Sequence, residues 1–198
     1  MTVYTTGGSE SVVSEDGDAA DVTYDNTDSG LAATNVQDAI DELTPRIYYC
    51  TSDLVKTSDA VLAADPVLAA PLLANSQYVI EILVMGDTNS TADWNADCNY
   101  TGTLASVFWN WEHFVWTTSG IAGGTASTTS GQWICGSGIN QSHAVANTGT
   151  QTNCQKFTYR VQTTTAGTFQ YRWCQTVSNG TGSTRRKDSF MRVTRVPS

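Results

Sequence analysis

From Ile47 onward, apolar and polar residues alternate with a period of two, the spacing of strands that turn one face to a core. In SQYVIEILVMG, Tyr78, Ile80, Ile82 and Val84 share a face, while Val79, Leu83 and Met85 take the other beside Glu81. This strand is therefore expected to be buried on much of both faces. SVFWNWEHFVWTT sets Val107, Trp109, Trp111, His113 and Val115 against Phe108, Asn110, Glu112, Phe114 and Trp116. KFTYRVQT alternates Phe157, Tyr159 and Val161 with polar residues, TFQYRWCQT does the same with Phe169, Tyr171 and Trp173, and SFMRVTRV closes the chain. Weaker strands are expected near Tyr48–Thr51, Ala60–Leu62, Trp133–Cys135 and His143–Ala146, for a total of about eight or nine. The apolar tract DPVLAAPLL, with two prolines, suits an edge crossing between sheets. Polar loops separate the strands, so the fold class is mainly β, an antiparallel sandwich. A jelly roll is the most economical topology, with an immunoglobulin-like sandwich second.

Before Ile47 the period changes. Residues 21–24 read as a short strand, and Asp25 to Gly30 carry turn chemistry. Thr34 fits an N-cap with Gln37 as its capping-box partner. Val36, Ala39, Ile40 and Leu43 then fall on one apolar stripe, and Pro45 ends the helix. A helix this short is marginal in water on its own. Its stripe needs a partner, either symmetry mates around an axis, an oligomeric collar, or the β body; the first is favoured. The chain divides into residues 1–46, an arm, strand and helix, and residues 47–198, the β-sandwich.

Charge sharpens that division. The 198 residues carry a net charge of −9, with 19 acids and 10 bases. Nine of the acids and every Lys and Arg lie from Arg46 onward, so residues 1–45 hold ten acids and no base. An acidic leader argues against nucleic acid and suits a positively charged protein surface. No apolar run is long enough to span a membrane and no secretory signal opens the chain, so a soluble product of the cytoplasm is expected. The odd set Cys50, Cys98, Cys135, Cys154 and Cys174 lacks any C-x-x-C pair. Buried free thiols are expected, with a late Cys135–Cys154 bridge as the alternative, and no metal or cofactor.

Catalytic chemistry has little support. Glu112 and His113 are neighbours on a strand and face opposite sides of the sheet. CGSGINQSH is not a nucleophile elbow, and EDGDAAD lacks the remaining ligands of a calcium loop. A binding role is less easily set aside. Of six tryptophans, Trp109, Trp111 and Trp173 read as core, whereas Trp94 and Trp133 sit beside loop residues. Asp93-Trp94-Asn95 is a candidate sugar platform, with burial at an interface as its alternative. Arg185-Arg186-Lys187 reads as a solvated hairpin tip, or as a contact for an acidic arm or an anionic cell-surface polymer.

The stretch YDNTDSGLAATNVQDAIDEL closely resembles a module of tailed-bacteriophage virion proteins with the form Y-D-N-T-x-S-G-L-x-A-x-N-V-Q-x-A-I-D-E-L. Tyr24, Asp25, Asn26, Thr27, Ser29, Gly30, Leu31, Ala33, Asn35, Val36, Gln37, Ala39, Ile40, Asp41, Glu42 and Leu43 carry the match, roughly a tenth of the chain. The resemblance implies a fibre or decoration protein on the virion surface, anchored by residues 1–46. It implies that Tyr24, Val36, Ala39, Ile40 and Leu43 gather a homotrimer or meet the major capsid protein or another virion structural protein. A capsid decoration protein or short head fibre is the leading expectation. A short tail fibre or tail knob that binds a host surface glycan follows it, then a lectin-like module; an enzyme comes last.

Overall fold

The computed structural model describes residues 18–25, 27, 31, 33–88, 93–117, 132–145 and 151–196. Near the N-terminus, Asp18 caps a 3-10 turn over Ala19–Asp21 by accepting from the Ala20 amide at 3.0 Å. Helix α1 spans Val36–Leu43. Its N-cap is Asn35, one residue later than the Thr34 expected, and the reciprocal partner is Asp38 in place of Gln37. The Asn35 side-chain oxygen accepts from the Asp38 amide at 2.8 Å, and its NH₂ donates to the Asp38 carboxylate at 2.8 Å. Asn is as good a cap as Thr or better, and only this register leaves Thr34 free to accept from the Tyr24 amide through its carbonyl, at 2.9 Å. At the other end the Thr44 hydroxyl and amide both donate to the Ile40 carbonyl before Pro45 stops the helix.

The predicted strand at residues 21–24 is a single bridge, Thr23 with Asn35, backed by a Val36-amide to Val22-carbonyl bond of 3.0 Å. This folds the segment onto a core of its own: Leu31, Ala33 and Ala39 are buried, with Tyr24 packed on them. Glu42 ties the piece to the body, accepting from the Ala33 amide at 3.1 Å and pairing with Arg195.

Twelve strands follow among the described residues: β1 (Arg46–Tyr49), β2 (Leu54–Lys56), β3 (Ala63–Leu72), β4 (Gln77–Thr88), β5 (Trp94–Tyr100), β6 (Leu104–Thr117), β7 (Gln132–Ser137), β8 (His143–Val145), β9 (Gln151–Thr163), β10 (Gly167–Cys174), β11 (Ser183–Arg185) and β12 (Phe190–Val196). All pairings between them are antiparallel. With β2, β6, β7 and β11 set aside, the remaining eight pair first with last: β1 with β12, β3 with β10, β4 with β9, β5 with β8. That is one long hairpin wrapped on itself. Contacts of β12 with β4 and of β10 with β5 close the wrap into sheets ordered β1-β12-β4-β9 and β3-β10-β5-β8. The fold is a jelly-roll sandwich. The hairpin β6–β7 widens the first sheet beyond β9, and β2 with β11 extends it beside β4.

The core fills the space between sheets as the alternation demands. Tyr78, Ile80, Ile82, Val84, Phe157, Tyr159 and Val161 face Leu68, Ala70, Leu72, Phe169, Tyr171 and Trp173. Aromatic rings interlock edge to face, Phe157 on Tyr171 at 5.7 Å and Tyr159 on Phe169 at 5.1 Å. The outward set of β4 (Val79, Glu81, Leu83, Met85) is half-buried. The proline-bearing tract is β3, at the edge of the small sheet, where Pro66 and Pro71 deprive no central ladder of a donor. The chain then crosses to β4 in the other sheet, as expected. The strand anticipated at Ala60–Leu62 is absent; β3 begins at Ala63.

Candidate functional site

Ala39, Val36, Ile40 and Leu43 do not act as one stripe. Ala39 is buried in the small N-terminal core and Val36 is half-buried, as is Tyr24. Ile40 and Leu43 point outward, 52% and 45% exposed. The chain then enters β1, where the same alternation that packs Tyr48 toward the core turns Ile47 and Tyr49 out, 63% and 49% exposed. Four large apolar side chains within ten residues thus lie open on α1 and on β1, an outer strand of the large sheet. Ile47 and Tyr49 were legible in RIYYC as the face opposite Tyr48 and Cys50, but weak local patterning hid them. The Tyr49 hydroxyl donates to Asp188, and that bond pushes its pKa up. Exposed apolar side chains of this kind mark contacts with other proteins where they gather into one patch.

The other expected site residues fare differently. Trp94 is fully buried and cannot be a sugar platform. Its ring stacks on Trp173 at 4.2 Å with 4° between planes, and its indole N–H donates to the Tyr171 hydroxyl at 3.1 Å. The flanking Asp93 and Asn95 suggested a loop, yet Trp94 opens β5, on whose opposite side Asn95 is followed by Asp97, which binds the Arg172 guanidinium across the ladder. Trp133 lies on β7 opposite Glu112; its side chain is outside the described residues.

The basic run is not a solvated tip either. Arg185 belongs to β11 and is 2% exposed. Its Nε donates to Asp65 Oδ2 at 3.0 Å and its Nη1 to the Ser52 carbonyl at 2.8 Å. Asp65 also accepts from the Trp173 indole at 3.2 Å and from the amides of Val67 and Leu68. Arg186 is exposed but bridges Asp53 and Asp87, and Asp53 accepts in addition from the Lys187 amide at 2.7 Å. That amide, then Arg186, hold the Asp53 carboxyl below its usual range. Lys187 is exposed. The run therefore offers no concentrated positive patch: one charge is inside, and one is matched by two carboxylates.

Cys50, Cys98, Cys154 and Cys174 are free thiols, so the Cys135–Cys154 bridge does not form. Cys135 pairs with Asn110, which pairs with Thr158, so it sits two strands over and four residues along from Cys154. Two strand spacings are already about 9–10 Å, beyond the roughly 7 Å a disulfide spans between Cα atoms. Burial pushes the Cys50 thiol up to about 11 and that of Cys98 higher still. Among the described residues no three His, Cys, Asp or Glu side chains converge as a metal site, and no helix is long and apolar enough to cross a membrane.

Glu112 and His113 do face opposite ways. Glu112 meets Lys156 at 3.7 Å on the outer surface, and His113 turns into the sandwich. There it bonds Asn153 at 3.1 Å and stacks on Trp111, which also stacks with His143. Desolvation holds both histidines below 6.5, their ordinary value. The unfolded chain binds these protons below about 6.5 while the folded chain resists them, so stability is full above that pH and falls as pH drops through it. Thermal unfolding followed at about pH 7.5 and about pH 5 is expected to show a lower midpoint at the acid pH, the direction that two buried neutral histidines impose. His143→Phe should flatten the profile, and an equal acid loss in that variant would contradict this reading.

No protein-family model matches the sequence, and no curated protein matches it. A solved structure described as that of infectious bursal disease virus, Gx strain, is similar at a TM-score of 0.16 with 8% identity. The match covers 77% of this chain and 40% of that one. A likeness so slight carries no argument about fold or function.

Proposed function

We propose that this chain is a structural protein of a tailed-bacteriophage virion, a trimeric capsid decoration protein or short head fibre anchored by its N-terminal segment. One observation carries the proposal. The helix whose sequence resembles the phage module keeps Ile40 and Leu43 exposed, and β1 adds Ile47 and Tyr49 directly after it. These residues are the contact through which copies gather, and the acidic leader meets the major capsid protein or a neighbouring virion component. The body supports a scaffolding role, since its buried Asp65–Arg185 pair and part-buried Asp97–Arg172 pair are occupied in cross-bracing strands.

The test is the copy number of the chain in purified particles, by quantitative mass spectrometry against the major capsid protein. A ratio of the same order as the capsid protein is expected. A ratio matching a tail or vertex symmetry would move the protein off the head lattice, and its absence from particles would overturn the proposal.

A further inference from the structure

On the outer surface of the large sheet, β9, β6 and β7 form an open groove of about 580 Å³, within the range of small-ligand sites. Phe108 stands in it 62% exposed, with Arg160 beside it on β9 and Ser137 beside it on β7; Asn110 and Thr158 form the next rung. Gly136 leaves room for the Trp109 indole at the groove's base, since a Cβ there would lie 2.6 Å from that ring. Among the described residues none that lines the groove is acidic. Arg160 is exposed and has no ion pair among the described residues, whereas Lys156 is matched by Glu112 and Arg192 by Glu81 on the same face. The groove thus combines one open aromatic ring, an amide, two hydroxyls and one uncompensated guanidinium.

A protein interface would need a broad apolar area, and here a single phenyl ring is surrounded by hydrogen-bonding groups. That mixture suits a polyhydroxylated ring. Its C–H face packs on the aromatic, its hydroxyls meet Asn110, Thr158 and Ser137, and the guanidinium takes a carboxylate in forked geometry.

We propose that this groove binds a saccharide bearing a carboxylate, such as a uronate or a sialate. It lies at the opposite edge of the large sheet from β1. Assembly through α1 and β1 leaves it open, and the site does not depend on that assembly.

The test is a glycan array of neutral, uronate-bearing and sialate-bearing oligosaccharides probed with the full chain, followed by titration of the best acidic binder. The wild type is expected to retain acidic saccharides over neutral counterparts of the same size. Phe108→Ala should weaken the titrated ligand about tenfold or more, and Arg160→Gln should erase the preference for the acid. Both residues face outward, so unchanged thermal unfolding separates loss of the site from loss of the fold. Binding of no acidic saccharide above its neutral counterpart, or equal binding by both variants, would overturn the proposal. A changed solution mass on Phe108→Ala would assign the groove to a contact between copies and overturn it equally.

Discussion

Arg185→Met is expected to destabilise the fold by about 3–5 kcal/mol, because it strands the Asp65 carboxylate inside the sandwich. Both side chains are essentially inaccessible, 2% and 0% exposed. The carboxylate would keep its bonds from the Trp173 indole and the Val67 and Leu68 amides but lose its only cationic partner among the described residues. Removing one member of a buried pair leaves an uncompensated charge, whereas replacing both with apolar residues of similar size is far milder. Asp65→Leu combined with Arg185→Met should therefore recover much of the loss. Urea unfolding of the two single variants and the double variant measures this coupling. Additive losses would show that the pair does not brace the fold.

Trp94→Ala is expected to cost about 3–5 kcal/mol, the range for deleting a large buried ring. It removes the stack on Trp173, the bond to Tyr171 and the ring that fills the space above Gly86, where a Cβ would lie 2.7 Å from the indole. By contrast, Phe108→Ala on the outer face should change stability by less than about 0.5 kcal/mol. Paired thermal or urea unfolding of the two variants separates the core aromatic from the surface one. Equal, small effects would contradict the placement of Trp94.

Arg185 and Trp94 show where a reading from sequence stops, and the long strands show where it holds. The faces of β9 and β10 were legible because Phe157 and Tyr159, or Phe169 and Tyr171, alternate with polar neighbours, and β4 because it is apolar on both faces apart from Glu81. Strand number and loop character pointed to a sandwich with a jelly roll as its most economical topology. Eight or nine strands were expected, however, where twelve are found among the described residues, and the pairing order is set by the structure. WNADCNY hid β5, since Asn and Asp are poor strand formers and Asp97 is tolerated only because Arg172 lies opposite it. Arg185 looked like part of a charged tip because the partner that buries it is 120 residues away. Trp94 and Arg185 were misplaced for the same reason: a contact distant in sequence decided their burial. The exposure of Ile40 and Leu43 depended on a nearer but equally hidden choice, the small core of Leu31, Ala33 and Ala39 that claims one side of α1 and leaves the other uncovered.

The most direct test of the assembly account is the mass of the full chain in solution, by native mass spectrometry or light scattering. The account predicts three copies of the 21.3 kDa chain, and a single copy for Ile40→Asp combined with Ile47→Asp. A wild-type monomer, or a trimer that survives both substitutions, would contradict it.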